Sequence, residues 1–303
     1  MRGTFVDANA AAAAAYDDAA VLAREVGARM AARLDYIKLA PRRIADIGCA
    51  TGDGIRALQT RYPAAQALAI DRSLAMLHGV RAVHSLHLLH ALRAGWRRLF
   101  GGGPQRLNAD ARALPLASDT LDLVWSNLML HWLADPLPAL REIHRVLAVD
   151  GLLMFATLGP DTLRELREAA QKVGADETAP RFPDMHDLGD MLVASGFADP
   201  VMDMEMLTLN YRQPRRFLAD QRHLGARDHL LGAPAARSFR QWRQIFNALP
   251  RDAAGHLPFS FEIVYGHAWK PAARPARHTD ENHRPTRQVI HFQRRSASLS
   301  DSL

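Results

Sequence analysis

The sequence is poor in cysteine and lysine and contains no long apolar run. Its only cysteine is Cys49, so no intrachain disulfide can form, which agrees with a reducing compartment. No stretch approaches the roughly 20 consecutive apolar residues that a membrane-spanning helix needs. Residues 1–18 place one early arginine before an alanine run broken by Asp7, Asp17 and Asp18. They lack the leucine-rich core of a secretory signal and are too acidic for an organellar presequence. A cytoplasmic chain is expected. Lysine occurs only at 38, 172 and 270, so the net charge of +6 is carried almost wholly by arginine. With alanine so abundant, that bias fits GC-rich coding as readily as an acidic partner.

What is present suits a globular protein. A chain of 303 residues with 48% hydrophobic and 23% charged residues can bury one substantial core plus appended elements. Val21, Leu22, Val26, Met30, Leu34 and Ile37 recur at three- and four-residue steps, which predicts a helix over 10–39 ended by Pro41. Strands are then expected over 43–47, 65–70, 106–108, 121–126 and 152–157. Helical patterns fall at 53–58, 74–83 (capped by Ser73), 84–100 and 136–147. This alternation predicts an α/β fold with a doubly wound, mainly parallel seven-stranded sheet. Further helices are expected over 161–173, 185–195, 214–224 and 235–248, and the last two strands over 204–211 and 259–269. The resulting organisation is an N-terminal helical lid over 1–40, a main domain over 41–271 with helical insertions around 78–104 and 161–250, and a disordered basic tail over 272–303.

The densest chemical signal is Asp46-Ile47-Gly48-Cys49-Ala50-Thr51-Gly52, directly after the first strand. Glycines there let the backbone turn sharply and approach a ligand where a β-carbon would clash. A dinucleotide site would show G-x-G-x-x-G facing a pyrophosphate. An acid two residues before the first glycine suits a ligand bearing an ammonium group instead. Asp71, about 20 residues past the glycines and followed by Arg72, can accept hydrogen bonds from vicinal ribose hydroxyls. Asp110-Ala111 stands at the third strand tip, where a carboxylate can receive an adenine amino group, and Asn127 closes the fourth strand. Each piece has a plain alternative: Asp71 a helix cap, Asp110 a turn former, Cys49 a small turn residue. Their shared position at carboxyl ends of parallel strands marks a cofactor crevice.

In these segments the chain resembles the class I S-adenosylmethionine-dependent methyltransferases, departing at Ala50, where a glycine is usual. More narrowly, it is similar to the malonyl-carrier-protein O-methyltransferases of biotin synthesis. The segments that carry this are residues 14–17 (AAYD), 34–38 (LDYIK), 126–132 (SNLMLHW), 159–166 (GPDTLREL), 182–187 (FPDMHD) and 266–269 (GHAW). Residues 84–106 are longer and more basic than in short family members, and Val149-Asp150-Gly151 stands in place of a Pro-Gly-Gly. The GPDTLREL segment and the C-terminal aromatic-Lys-Pro also resemble mitochondrial complex I assembly relatives that hydroxylate arginine. Hydroxylation, or cofactor binding without catalysis, therefore stays open.

The resemblance implies S-adenosylmethionine as methyl donor and a malonyl thioester on an acyl carrier protein as acceptor. It also implies a site in which Tyr16, from a lid segment, His131 and Arg164 face the substrate. Tyr16 has the alternative of an ordinary helix aromatic, Trp132 of a core residue, and Arg164 of an exposed ion-paired side chain. His186 and His267 read as structural, and no metal-ligand set is evident. Arg81, Arg93, Arg97, Arg98 and Arg106 would supply a surface for an acidic carrier protein. RNA binding is disfavoured, because only Trp96 and Phe100 interleave those arginines.

Overall fold

Strand β4 (Leu121–Asn127) reads as a near-continuous apolar run because both of its faces are covered. In the computed structural model, which describes residues 10–80, 103–175, 182–231 and 239–272, Leu123 and Trp125 point into one apolar layer with Ile44 and Met154. Val124 points into the other, with Ala45, Ile47, Leu153 and Phe155. Period-two alternation thus builds a core on each side of one sheet. Strands β1 (Arg43–Ile47), β2 (Gln66–Asp71), β3 (Gln105–Asn108), β4 and β5 (Leu147–Leu158) are parallel. The last two, β6 (Ala198–Tyr211) and β7 (Leu257–Trp269), run antiparallel, with β7 inserted beside β5. The order is β3-β2-β1-β4-β5-β7-β6, so the expected mainly parallel seven-stranded sheet is observed.

Helices follow the strands as the alternation requires. They are α3 (Asp53–Arg61) after β1, α4 (Leu74–Gly79) after β2, α5 (Leu137–Val146) after β4 and α6 (Arg164–Lys172) after β5. Next comes α7 (Met185–Ala194), capped by the Asp184 carboxylate, which accepts from the amides of His186 and Asp187, and closed by Gly196 at φ +96°. Between β6 and β7 lie α8 (Pro214–His223), α9 (Arg227–Leu230) and α10 (Phe239–Ala248). No helix among the described residues is long and apolar enough to cross a membrane.

Three local expectations are corrected. The single helix over 10–39 is two, α1 (Ala10–Ala19) and α2 (Val21–Arg33), because Ala20 leaves helical geometry at ψ 32°. The chain then ends in a 3₁₀ turn at Leu34–Tyr36. Only the second part carries the buried stripe: Val26, Met30 and Leu34 are buried, while Val21 is 51% exposed. Strand β5 begins five residues earlier than its apolar run, at Leu147. Asp150 adopts φ +61°, and its amide and the Gly151 carbonyl bond to Lys270, which sews the turn onto the end of β7. The helix expected from Asp161 begins at Arg164, after Leu163 at φ +58°. The helix over 84–100 and the tail beyond 272 lie outside the described residues.

The delay before α6 has a clear cause. Glu262, on β7 and buried, accepts from the Asp161 amide at 2.6 Å, and its carbonyl accepts from the Gly159 amide and the Thr162 hydroxyl. Residues 159–162 are therefore held on the sheet edge and cannot enter the helix. A β-carbon on Gly159 would lie 2.5 Å from the Glu262 Cδ. Gly159→Ala should overpack this contact and lower stability by about 1–3 kcal/mol. The expected readout is a lower urea midpoint with unchanged slope, and an unaltered midpoint would show that the Glu262 contact is not close-packed.

Candidate active site

Parallel strands bring the ends of β1 to β4 to one edge, and each expected cofactor residue stands there. The turn after β1 is fixed first. The amides of Gly48 and Cys49 both donate to the Ile70 carbonyl, at 2.8 and 3.0 Å, and the Gly52 amide closes back on Cys49. Gly48 and Gly52 adopt φ +78° and +91°. A β-carbon at Gly48 would lie 2.4 Å from Met129 Cγ, so this glycine is required both by conformation and by contact. Ala50 also takes a left-handed φ, +46°, a conformation that disfavours a β-carbon by roughly 1–2 kcal/mol. Its amide is thereby aimed at Asp71.

Asp71 is fully engaged with its surroundings. One carboxylate oxygen accepts from the Ala50 amide at 2.9 Å and the other from the Ser73 amide at 2.7 Å. Ser73 itself caps α4, its hydroxyl accepting from the Met76 amide. A carboxylate offers about four acceptor positions, so Asp71 keeps acceptor capacity for a ligand hydroxyl. Burial raises its pKa, partly offset by the amides of Ser73, Ala50 and Arg72. Asp46 is more deeply enclosed, 2% exposed, and meets the Ile55 amide at the start of α3. Burial, and then the charge of Asp71, pushes its carboxyl up to about 8.

The N-terminal helices roof this edge. Tyr16, on α1, places its phenol among Asp71, Asp17, Asp46 and Cys49, where burial and those negative groups push its pKa upward and keep it neutral. Asp17 accepts from the Thr51 hydroxyl at 2.5 Å, tying α1 to the turn. The Asn127 amide group donates to the Ala23 carbonyl at 2.8 Å, tying α2 to the tip of β4. Farther out, α2 is held to β6 by the ion pairs Arg29–Glu205 and Arg33–Asp203, with Arg33 lying 3.7 Å above the Tyr265 ring. Cys49 is buried and its thiol is pushed up by burial and by Asp46 and Asp71, which leaves a small turn residue and not a nucleophile.

Two expected residues have firm other partners. Asp110 is clamped by Arg112, whose backbone and side chain donate three hydrogen bonds of 2.7–2.9 Å, and this holds its carboxyl down at about 2. It forms the turn after β3 together with Ala111, and Arg72 stands close enough to add to the same positive field. Arg164 is exposed at the start of α6, 3.6 Å from Glu165. Of the arginines expected to form a docking surface, Arg81, Arg93, Arg97 and Arg98 lie outside the described residues, and Arg106 is exposed with its guanidinium on the Val80 carbonyl.

His131 and Trp132 follow β4 in a 3₁₀ turn and meet partners that sequence reasoning missed. The His229 ring stacks on Trp132 at 4.9 Å, and its Nε2 lies 2.6 Å from the His131 carbonyl. Phe182 packs edge-on to His131. Burial, with His229 beside it, drives the His131 pKa down to about 3, so this imidazole is neutral, and its buried Nδ1 has no partner. Asp17, Thr51, Met129, Phe182 and His229 were not among the expected site residues. The first four lie in segments that the sequence marks out, 14–17, 46–52, 126–132 and 182–187, whereas His229 carried no local signal.

The geometry fits a cationic nucleoside better than a phosphate ligand. Asp46, Asp71 and Asp17 gather around a turn whose approach only glycine permits. The Asn127 Oδ1 is buried without a partner, an acceptor whose desolvation costs about 1–3 kcal/mol until a donor reaches it. A pyrophosphate would meet repulsion from the carboxylates, whereas an ammonium or sulfonium centre would relieve it.

Comparison with known proteins agrees with this reading. A family model described as a methyltransferase domain matches residues 45–155, the span from β1 to β5. The malonyl-[acyl-carrier protein] O-methyltransferase of Laribacter hongkongensis is 47% identical over 93% of this chain and 92% of its own length. That of Gallionella capsiferriformans is 48% identical over 87% and 89%. The solved structure of the YcgJ protein from Bacillus subtilis superposes with a TM-score of 0.54, covering 80% of this chain and 98% of its own at 15% identity, which shows the shared fold.

Proposed function

This chain belongs to the malonyl-[acyl-carrier protein] O-methyltransferase family, and from that premise we propose that it methylates the free carboxylate of a malonyl thioester on an acyl carrier protein. The product would be the malonyl methyl ester that starts pimeloyl synthesis for biotin. S-Adenosylmethionine, the methyl donor, supplies a methyl carbon activated by its attachment to a sulfonium. The observation that carries the reading is the ring of carboxylates and unpartnered acceptor at Asp46, Asp71 and Asn127 beneath the Tyr16 roof.

The residues would act by binding and exclusion of water. Asp71 accepts from ribose hydroxyls, the backbone of Gly48 to Gly52 lies against the ligand, and Asn127 Oδ1 accepts from its ammonium group. Asp110-Ala111 and Arg72 bound the adenine end, with Asp110 sharing its one remaining acceptor position. A malonyl carboxylate is ionised near neutral pH, so the attacking oxygen needs no general base. His131, neutral and buried, can hold the acceptor by one hydrogen bond at Nδ1 without adding charge. Tyr16 closes the crevice and desolvates the carboxylate, which raises its nucleophilicity. A tight guanidinium clamp would damp that oxygen, so an exposed Arg164 suits steering of the incoming substrate.

Incubation with malonyl-carrier protein and labelled donor should give a base-labile methyl ester. Tyr16→Phe should slow turnover while leaving the ester as product. Donor binding with no ester formed on any malonyl thioester would instead fit the arginine-hydroxylating or non-catalytic reading. The arginine surface at 81, 93, 97, 98 and 106 remains part of this proposal as one docking face for the carrier.

A further inference from the structure

A second arginine-bearing surface is formed by α8 to α10. Helix α8 places Leu218, Ala219 and Arg222 three, four and seven residues after Arg215, which puts all four on one face. Its other face is anchored: Phe217 is buried and stacks on Phe259 with ring centroids 3.9 Å apart. The stripe therefore faces a groove of about 350 Å³, completed by Arg227, Leu231 and Trp242 from α9, the residue after it and α10. Leu218, Ala219, Leu231 and Trp242 give it an apolar floor, and three arginines form its rim. Arg215 and Arg222 are exposed, and among the described residues no carboxylate pairs with either, whereas the adjacent Arg216 is paired with Asp220 at 3.2 Å.

The groove is coupled to the reaction crevice through four residues. Helix α9 carries Arg227 on the groove rim and, two residues on, His229, which stacks on Trp132 and bonds the His131 carbonyl. The short helix α9 thus carries residues of both the groove rim and the aromatic cluster beside His131. The positive charge of Arg215 and Arg222 over an apolar floor is complementary to an amphipathic helix with acidic flanks. Single-stranded RNA fits less well, since Trp242 is the one aromatic ring among the described residues that line the groove.

Building on the carrier-protein reading above, we propose that the α8–α10 groove seats an acidic helix of the acyl carrier protein and directs its thioester arm past His229 to His131 and Trp132. The test compares Arg215→Glu/Arg222→Glu with the parent on two substrates, malonyl-carrier protein and malonyl-N-acetylcysteamine, which has the thioester but no protein. The expected result is a KM for the carrier raised about tenfold or more, while kcat/KM for the small thioester stays within about twofold. Arg42→Glu, exposed at the amino end of β1 and away from the cofactor edge, should leave the carrier KM unchanged. Donor affinity and melting temperature of each variant report folding.

Equal losses on both substrates, no loss on either, or a carrier defect of equal size in Arg42→Glu would overturn the proposal. Binding of unacylated carrier protein, measured by calorimetry, reads the groove without turnover. A parent that binds the carrier and a double variant that does not would uphold the surface even if no ester formed, which would sink the methylation reading alone. Tighter binding of an RNA oligonucleotide than of carrier, lost in the double variant, would assign the groove to nucleic acid instead.

Discussion

Asp71→Ala is expected to abolish measurable binding of S-adenosylmethionine while the protein remains folded. The substitution removes the acceptor of the Ala50 amide at 2.9 Å and of the Ser73 amide at 2.7 Å, so the glycine turn and the start of α4 lose their common tie. In the binding mode proposed above it also removes the charge-assisted hydrogen bonds that Asp71 would accept from the ribose. Bonds to a charged group contribute roughly 1.5–3 kcal/mol each, so affinity should fall by about 100-fold or more. Asp71→Asn separates the two roles. Its amide oxygen can still accept from one backbone amide, which keeps the turn nearer its parent shape, while the charge is gone. An intermediate loss is expected, about tenfold to 100-fold. Isothermal calorimetry with the donor and its demethylated product measures both variants, and circular dichroism reports folding. Parent-like affinity in folded Asp71→Ala would remove the carboxylate from the site.

Asp46 should make both stability and cofactor affinity depend on pH, in opposite directions. Burial and the neighbouring Asp71 raise its carboxyl to about 8 in the folded protein, against an ordinary value near 4. Between about pH 4 and pH 8 the native chain therefore holds a proton that the unfolded chain has released. Stability of the free protein is greatest at the acid end of that window and falls as pH rises toward 8. A cationic ligand favours the ionised carboxylate, so binding expels the proton, and affinity should strengthen over the same range. Asp46→Asn keeps the neutral shape at every pH. Its melting temperature should exceed the parent's at pH 8 and match it near pH 4, and its donor affinity should be weaker and flat with pH. Titrations in two buffers of different ionisation heat would count the released proton. Superimposable pH profiles for parent and variant would mean that Asp46 keeps its charge and its pKa is not raised.

These two carboxylates also show how far the sequence could be read. Their positions follow from local rules: an apolar run ends, a glycine turn begins, and the acid falls at a strand tip. Ala50 is different, because an alanine carries no sign of a left-handed backbone, and its φ of +46° is imposed by the bond from its amide to Asp71. Asp110 and Asp71 look alike in sequence, each an acid at a strand tip. One ends clamped by Arg112 and the other poised between two amides, and only the path of the loop separates them. The break at Ala20 was equally hidden, since alanine continues a helix as readily as it ends one. What bends the chain there is the pair of anchors on either side, Asp17 to Thr51 and Asn127 to Ala23.

The sequence by itself determined the alternation of strands and helices, the mainly parallel sheet, and the meeting of Asp46 to Gly52, Asp71 and Asn127 at one edge of it. Those features are written in periodicities of two and three to four residues and in backbone conformations that few residues tolerate, all of which act over short stretches of chain. Only the tertiary structure decided that Tyr16 sits among three aspartates, that His229 and Phe182 join His131, that Glu262 holds residues 159–162 off their helix, and that α8 turns an arginine-rimmed stripe outward. Such contacts join residues dozens to more than a hundred positions apart. Their energies come from burial and from paired polar groups, and neither exists until the sheet has brought those segments together.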